Sequence, residues 1–356
     1  MENAINEPVK KNYDFIDHIR CIAMIGIVVE HTVGSEPPLP GSANYPIFLF
    51  VIQFFKFGTI IFFLLSGFLI SEKFTDYTPG QYLKRRFSST FGPWLLWSIV
   101  YLVCFIANLW VKQRMYHDND HRLTFNAIVD EINIIYLHTN YWFIINFMVS
   151  ITILLIFRKY LYNLLFGAIL FGFTLFYCIN IYFEWINPTH TMAIFGFVFF
   201  LWLGAQMRKH WLIIQNQITL LPYPFLFFIM ALTFGLATYE ITLLSHRGSF
   251  DPLNTLRFSN ILFSLATFAL LLKIGVIKSL NFLKPRQTTY GVYLIHFILV
   301  VFLVPEILRP LHINIQELAP LTYVFVKLGA FLTVYGITII LVLLISNTTF
   351  KKIIGN

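Results

Sequence analysis

The sequence predicts an all-α membrane protein with about ten transmembrane helices and both termini on the cytoplasmic side. Mean hydropathy is +0.72, only 12% of the residues are charged, and 40 of the 356 residues are Phe. About ten apolar runs approach the ~20 residues that a helix needs to cross a bilayer. Because a soluble chain carries roughly twice this fraction of charged residues, a soluble enzyme is not expected.

The apolar runs also give the order of the elements. The predicted spans cover roughly residues 15–34, 45–71, 91–111, 139–157, 161–181, 191–207, 222–244, 257–275, 288–305 and 319–346. Polar residues 1–12 are predicted to be a cytoplasmic tail, 13–350 one transmembrane domain, and 351–356 a second cytoplasmic tail. The longest connection, 112–138, leaves room for a short or amphipathic helix.

The basic residues fall mostly on one side when the spans alternate from a cytoplasmic N-terminus. The cytoplasmic segments hold Lys10, Lys11, Lys73, Lys84, Arg85, Arg86, Arg158, Lys159, Arg208, Lys209, Lys273, Lys278, Lys284, Arg286, Lys351 and Lys352, and the other side holds Lys112, Arg114, Arg122, Arg247 and Arg309. The positive-inside rule therefore predicts cytoplasmic termini. Topology also explains the net charge of +8, so nucleic-acid binding is not expected.

The first predicted span carries charged groups where lipid would favour apolar ones. Asp17, Arg20, Glu30 and His31 all lie within it. Such groups cost several kcal/mol inside a bilayer, so they indicate a functional site. Arg20 and His31 project from nearly one face of a helix, about 16 Å apart along its axis. Asp17 shares that face, whereas Glu30 lies about 100° around the helix from His31 and is expected to contact another helix.

Two further segments allow both a structural and a functional interpretation. The cluster Lys84-Arg85-Arg86 is typical of a positive-inside anchor, and it also suits phosphate binding. Ser66, beside Gly67 in the second span, indicates close helix packing and also offers a hydroxyl.

The remaining candidates are aromatic or histidine side chains. His296, in the ninth span, is interpreted first as a hydrogen-bonded structural group and second as part of a site. Tyr141 and Trp142 begin the fourth span, where they predict either an interfacial belt or a platform for a sugar ring. His117 and His121 have the spacing of metal ligands, but without a third ligand a solvated loop is predicted and no metal is expected.

Together, these segments resemble acyltransferase family 3, a family of integral membrane O-acyltransferases. The resemblance extends over nearly the whole chain in order and spacing. It rests on Asp17-x-x-Arg20, on the ten residues between Arg20 and His31, on Phe62-Phe-Leu-Leu-Ser-Gly-Phe-Leu-Ile70, on Arg85 and Arg86 followed by Pro93, on Tyr141-Trp142-Phe143, and on Tyr290-Gly-Val-Tyr-Leu-Ile-His296. Family members often carry Arg-x-x-Arg in the second cytoplasmic segment. Here Ser88 and Ser89 follow the arginines at that distance.

The resemblance implies transfer of an acyl group, usually acetyl, from cytoplasmic acyl-CoA to a hydroxyl of a cell-surface or lipid-linked glycan. It implies a bacterial cytoplasmic membrane location and a possible link to glycan-assembly machinery. In this interpretation His31 is the catalytic base, supported by Arg20 and Asp17. The donor-binding residues are Lys84, Arg85, Arg86 and Ser66, and the acceptor-binding residues are Glu30, Tyr141, Trp142 and His296.

Two mechanisms and two other function classes stay open at this point. The acceptor hydroxyl can attack the thioester directly, or a protein group can first accept the acyl group and pass it on. An exporter of polysaccharide or lipid-linked oligosaccharide would use the charged face of the first span as a substrate or proton path. A non-catalytic scaffold explains the helices but gives the charged face no role.

Overall fold

The computed structural model describes residues 13–115 and 123–355, and this part of the chain is helical with no β-strand. The α-helices, in chain order, are α1 (Asp14–Gly34), α2 (Tyr45–Phe55), α3 (Gly58–Asp76), α4 (Pro79–Arg86), α5 (Gly92–Met115), α6 (Phe125–Leu137), α7 (Trp142–Ile156), α8 (Leu164–Phe183), α9 (Val198–Lys209), α10 (Trp211–Leu220), α11 (Tyr223–His246), α12 (Phe258–Ile274), α13 (Pro285–Phe302), α14 (Val304–Leu308) and α15 (Pro320–Ser346).

Six helical segments in the described part are long and apolar enough to cross a membrane. They are Tyr45–Ser71, Pro79–Arg114, Leu164–Phe183, Tyr223–His246, Pro285–Leu311 and Pro320–Ser346. Helices α6 and α7, which meet at a bend of 55°, add a seventh if they form one span. The all-α, multi-pass class is thus confirmed, while the count of ten spans and the side of the termini stay predictions.

Helix α1 is packed among other helices, which explains how it tolerates its charges. It contacts α2, α3, α13 and α15, and most of its residues are buried. Because its polar side chains face protein and internal cavities, they avoid the hydrocarbon phase. The first predicted span is therefore a helix, but one surrounded by others.

Helices α3 and α9 cross at two glycines. A Cβ atom on Gly67 would lie 1.9 Å from the carbonyl oxygen of Leu201, and one on Gly204 would lie 2.0 Å from that of Leu64. Only glycine lets two helix backbones approach this closely. This contact fixes α3, and with it the neighbouring Ser66.

The second predicted span is interrupted between α2 and α3. The break falls at Lys56 and Phe57. Directly after the break, α3 packs closely against α1, because a Cβ on Gly58 would meet the Ile27 side chain at 2.7 Å and the Ala23 carbonyl oxygen at 2.9 Å. The break leaves Lys56 buried beside α1.

The segment predicted as the C-terminal tail, 351–356, is folded in its described part. A 3₁₀ turn covers Thr349–Ile354 and contacts α5, α13 and α15. Ile354 is fully buried, and the Trp97 indole donates a hydrogen bond to the Ile353 carbonyl at 2.9 Å. The two isoleucines that follow Lys351 and Lys352 thus pack this end of the described chain against the helices. The predicted tail 1–12 and the His117–His121 segment lie outside the described residues.

Candidate active site

A cavity of about 300 Å³ runs beside α1 from its basic end toward its C-terminal end. We call it the basic cavity. Its walls come mainly from α1, α3, α7 and α13, with further residues from α4 and from loops. Arg20, Arg86 and Arg286 line one end, and Glu30, His31 and His190 line the other. The distance along α1 between Arg20 and His31 is about 16 Å.

Three arginines from three separate helices converge at the basic end. The charges of Arg86 and Arg286 act on Arg20, which is also held by Asp17 through an ion pair of 3.4 Å. Arg86 donates from Nε to the Tyr82 hydroxyl at 2.8 Å. Three clustered guanidinium groups repel one another unless an anion lies between them, so this end suits a phosphate group.

The local fold separates Arg86 from its basic neighbours. Helix α4 begins at a capping box formed by Thr78 and Gln81, and a π-helical turn, Phe87–Phe91, joins it to α5. Arg86 faces the basic cavity, whereas Arg85 is exposed and donates to the Tyr77 hydroxyl. Lys84 is exposed as well and does not line the cavity. Of the predicted basic cluster, the structure brings one residue to the cavity.

At the other end of the basic cavity, two histidines form a hydrogen-bonded pair. His31 Nδ1 lies 2.9 Å from His296 Nε2, and the two rings stack with centroids 5.2 Å apart. His296 is fully buried, and its Nδ1 lies 2.8 Å from the Val292 carbonyl oxygen. The two predicted histidines are therefore joined, although 265 positions separate them in the chain.

These contacts determine which histidine nitrogen is free to act as a base. A carbonyl oxygen only accepts, so His296 Nδ1 carries the proton that it donates to Val292. In the neutral ring, His296 Nε2 then accepts, and His31 Nδ1 donates to it. His31 Nε2 is left with its lone pair, as a general base requires. His296 thus orients His31 much as a carboxylate orients the histidine of a catalytic triad.

A second cavity, of about 680 Å³, meets the basic cavity at Glu30 and His31. We call it the distal cavity. It continues from these two residues to the loop after α1, where Glu36 and three prolines line it. The Glu30 carboxylate accepts a hydrogen bond from the buried Lys56 ammonium, so it contacts the break between α2 and α3. His31 is accessible from both cavities.

The other predicted residues occupy different positions around the basic cavity. Ser66 and Trp142 line it, and the Trp142 indole also contacts the His190 ring at 5.3 Å between centroids. Tyr141 is fully buried behind the wall, where its hydroxyl donates to the Leu294 carbonyl at 2.8 Å. Its position is that of a packing residue joining α7 to α13.

Three polar residues of this region were missed by sequence reasoning. Arg286 was assigned to topology, although its place just before the Tyr290–His296 motif was a usable signal. His190 begins a short 3₁₀ turn before α9 and Asp251 lies in the loop before α12, and no local pattern marks them. His190 Nδ1 lies 2.9 Å from a carboxylate oxygen of Asp251, and this pair joins two loops that are distant in sequence.

A family model described as an acyltransferase domain matches residues 13–346. No curated protein and no solved structure matches the chain.

Proposed function

Because the chain belongs to the acyltransferase family whose model matches residues 13–346, we propose that it transfers an acyl group, acetyl first, from cytoplasmic acyl-CoA to a glycan hydroxyl. The membrane acyltransferase class follows from that membership and from the apolar helices. The observation that supports the finer proposal is the basic cavity, which connects three arginines to a histidine held in place as a base.

The donor enters at the basic end of the cavity. The phosphates of CoA bind Arg20, Arg86 and Arg286, since guanidinium groups pair well with phosphate oxygens. The pantetheine arm, on the order of 15–20 Å, matches the rise of about 16 Å between Arg20 and His31. The thioester therefore reaches His31 while the phosphates stay at the arginines.

The acceptor approaches His31 from the distal cavity. His31 Nε2 removes the proton of the acceptor hydroxyl, and the hydroxyl oxygen attacks the thioester carbon. The carbon–sulfur bond breaks, and the CoA thiolate leaves and takes up the proton held by His31. This direct route uses the access of His31 to both cavities.

The proposal also implies which side of the membrane each end of α1 faces. With acyl-CoA in the cytoplasm, the arginine end of α1 faces inward and the loop with Glu36 faces outward, in agreement with the sorting of basic residues. The acceptor is then a surface or lipid-linked glycan, modified at a bacterial cytoplasmic membrane, in contact with glycan-assembly machinery. No metal is required for this chemistry.

The test compares the acylation of envelope glycans in cells that produce the wild type and in cells that produce His31→Ala in the same amount. Mass spectrometry of the glycans should show the acyl mass with the wild type and lose it with the variant. His246, an exposed residue outside both cavities, supplies the control, and His246→Ala should acylate normally. Full acylation by His31→Ala would contradict the proposal.

An assay with the purified protein distinguishes an acyltransferase from an exporter. Incubation with labelled acetyl-CoA and an envelope-glycan fraction should move the label to the glycan. Movement of glycan across proteoliposomes without any transfer of label would instead favour transport.

A further inference from the structure

His190 is a second histidine on the basic cavity, and its position differs from that of His31. His31 lines both cavities, whereas His190 lines the basic cavity alone. The two rings are close enough for the charge of one to act on the other. If the donor occupies the basic cavity and the acceptor arrives through the distal one, His190 faces the donor.

Asp251 fixes the orientation of the His190 ring. One of its carboxylate oxygens accepts from His190 Nδ1 at 2.9 Å, from the His190 backbone N–H at 3.3 Å and from Asn254 Nδ2 at 3.0 Å. Burial raises the pKa of Asp251, but the charge and hydrogen bonds of His190 and the charge of Lys56 outweigh it, so the pKa lies below its ordinary value. The carboxylate is therefore ionised at neutral pH.

An ionised carboxylate at this distance stabilises the imidazolium form of its histidine partner. Among the described residues, none forms a hydrogen bond to His190 Nε2. The ring edge that carries Nε2 is thus available to a group in the cavity. The structural alternative is that the pair only ties the loop before α9 to the loop before α12.

Building on the proposed function, we propose that His190, oriented by Asp251 and acting as an imidazolium, donates its Nε2–H to the carbonyl oxygen of the donor thioester. Negative charge develops on that oxygen as the acceptor oxygen bonds to the carbon, and a fixed donor stabilises it. The carbon–sulfur bond then breaks and the carbonyl reforms. The acceptor proton passes by way of His31 to the thiolate, and His190 keeps its own proton throughout.

Other charged groups near His190 set the background for this role. Asp251 is its partner, while His31, Glu30 and Lys56 lie across the end of the cavity. Arg257, fully buried, also acts on Asp251. Lys56 and Arg257 compete with His190 for the Asp251 carboxylate, so the effect of this carboxylate on His190 is measured best by removing its charge.

The first experiment compares His190→Ala with His190→Gln in the purified protein, with labelled acetyl-CoA as donor and an envelope-glycan fraction as acceptor. Loss of one oxyanion donor typically lowers kcat by about 10²–10³-fold, and we expect this for the alanine variant. Glutamine keeps an N–H donor but cannot titrate. Its kcat should lie between those of the other two proteins, while acetyl-CoA binding stays within twofold in all three.

The second experiment measures kcat against pH for Asp251→Asn. The wild type should show a bell-shaped profile, with His31 giving the low-pH limb and His190 the high-pH limb. Without the carboxylate the imidazolium is less stable, so the high-pH limb moves to lower pH and the low-pH limb stays in place. In His190→Gln the high-pH limb should disappear.

Asn254→Ala is the matched control for loop structure. Asn254 Nδ2 donates to the Pro188 carbonyl oxygen at 2.7 Å and to the Asp251 carboxylate at 3.0 Å, and the Asn254 side chain does not titrate. Asn254→Ala should lower Tm but leave both limbs of the profile of kcat against pH at the same pH as in the wild type. A shift of the low-pH limb in Asp251→Asn, or full kcat in His190→Ala, overturns the assignment of His190 while the proposed function stands. Absence of transfer by the wild type contradicts the proposed function itself.

Discussion

Adjacent arginines in α4 give a sharp test of the proposed donor site. Arg86 lines the basic cavity, whereas Arg85 is exposed and contacts Tyr77. Arg86→Ala removes one guanidinium from the proposed phosphate site. A hydrogen bond to a charged group contributes about 1.5–3 kcal/mol. A loss of about 2 kcal/mol raises Kd roughly 30-fold, since about 1.4 kcal/mol corresponds to tenfold.

The assay is calorimetric titration of acetyl-CoA into the purified protein at fixed ionic strength. Arg85→Ala has the same change in net charge and should alter Kd by less than threefold. Arg86 also holds the Tyr82 hydroxyl, so thermal unfolding is measured alongside binding to confirm that both variants fold. Equal losses in the two variants would indicate non-specific attraction by the basic segment. An unchanged Kd in Arg86→Ala would place the donor elsewhere.

Three further predictions concern the base, the packing and the response to acid. His296→Ala should lower kcat by about 100-fold with donor binding retained, because the proposed base, His31, loses the partner that orients it; steady-state kinetics with binding measurements check this. Gly67→Ala should lower Tm sharply, by an amount typical of a ~1–3 kcal/mol overpacking, because its Cβ would meet the Leu201 carbonyl oxygen, whereas Gly172→Ala meets nothing within 4 Å and should not. The pKa of Asp251 is lowered from its ordinary value of 3.8, so its ion pair with His190 should stabilise the fold fully above pH 3.8 and lose this effect as the pH falls through the lowered pKa. The decrease of Tm at acid pH should therefore be smaller in Asp251→Asn than in the wild type.

The fold class was predictable because it depends on composition and on the length of apolar runs. The helix break at Lys56 was not predictable, because a short interruption between two apolar helices leaves the apolar run of the sequence almost continuous. The packing of the segment predicted as the C-terminal tail, 351–356, was not predictable for a related reason. Two lysines suggested solvent, while the burial of Ile354 depends on helices that lie far earlier in the chain.

The site was predictable only along α1. Helical spacing placed Arg20 and His31 on one face, since that geometry is local. The contact between His31 and His296 requires knowledge of which helices are neighbours, and spacing within one helix does not supply it. Arg85 and Arg86 differ only by the rotation of α4, which is set by its cap and the π-helical turn that follows.

The charges of α1 also bear on how the protein is made. This helix is absent from the segments that are apolar enough to cross a membrane unaided, so the translocon would release it into lipid only reluctantly. The helices that shield it include α13 and α15, which the ribosome synthesises long after it. Until α13 and α15 have been synthesised, α1 has to be shielded from lipid by the insertion machinery or by contact with α2 and α3. Assembly of the candidate active site is therefore a late step of biogenesis, completed only when α13 and α15 pack around α1.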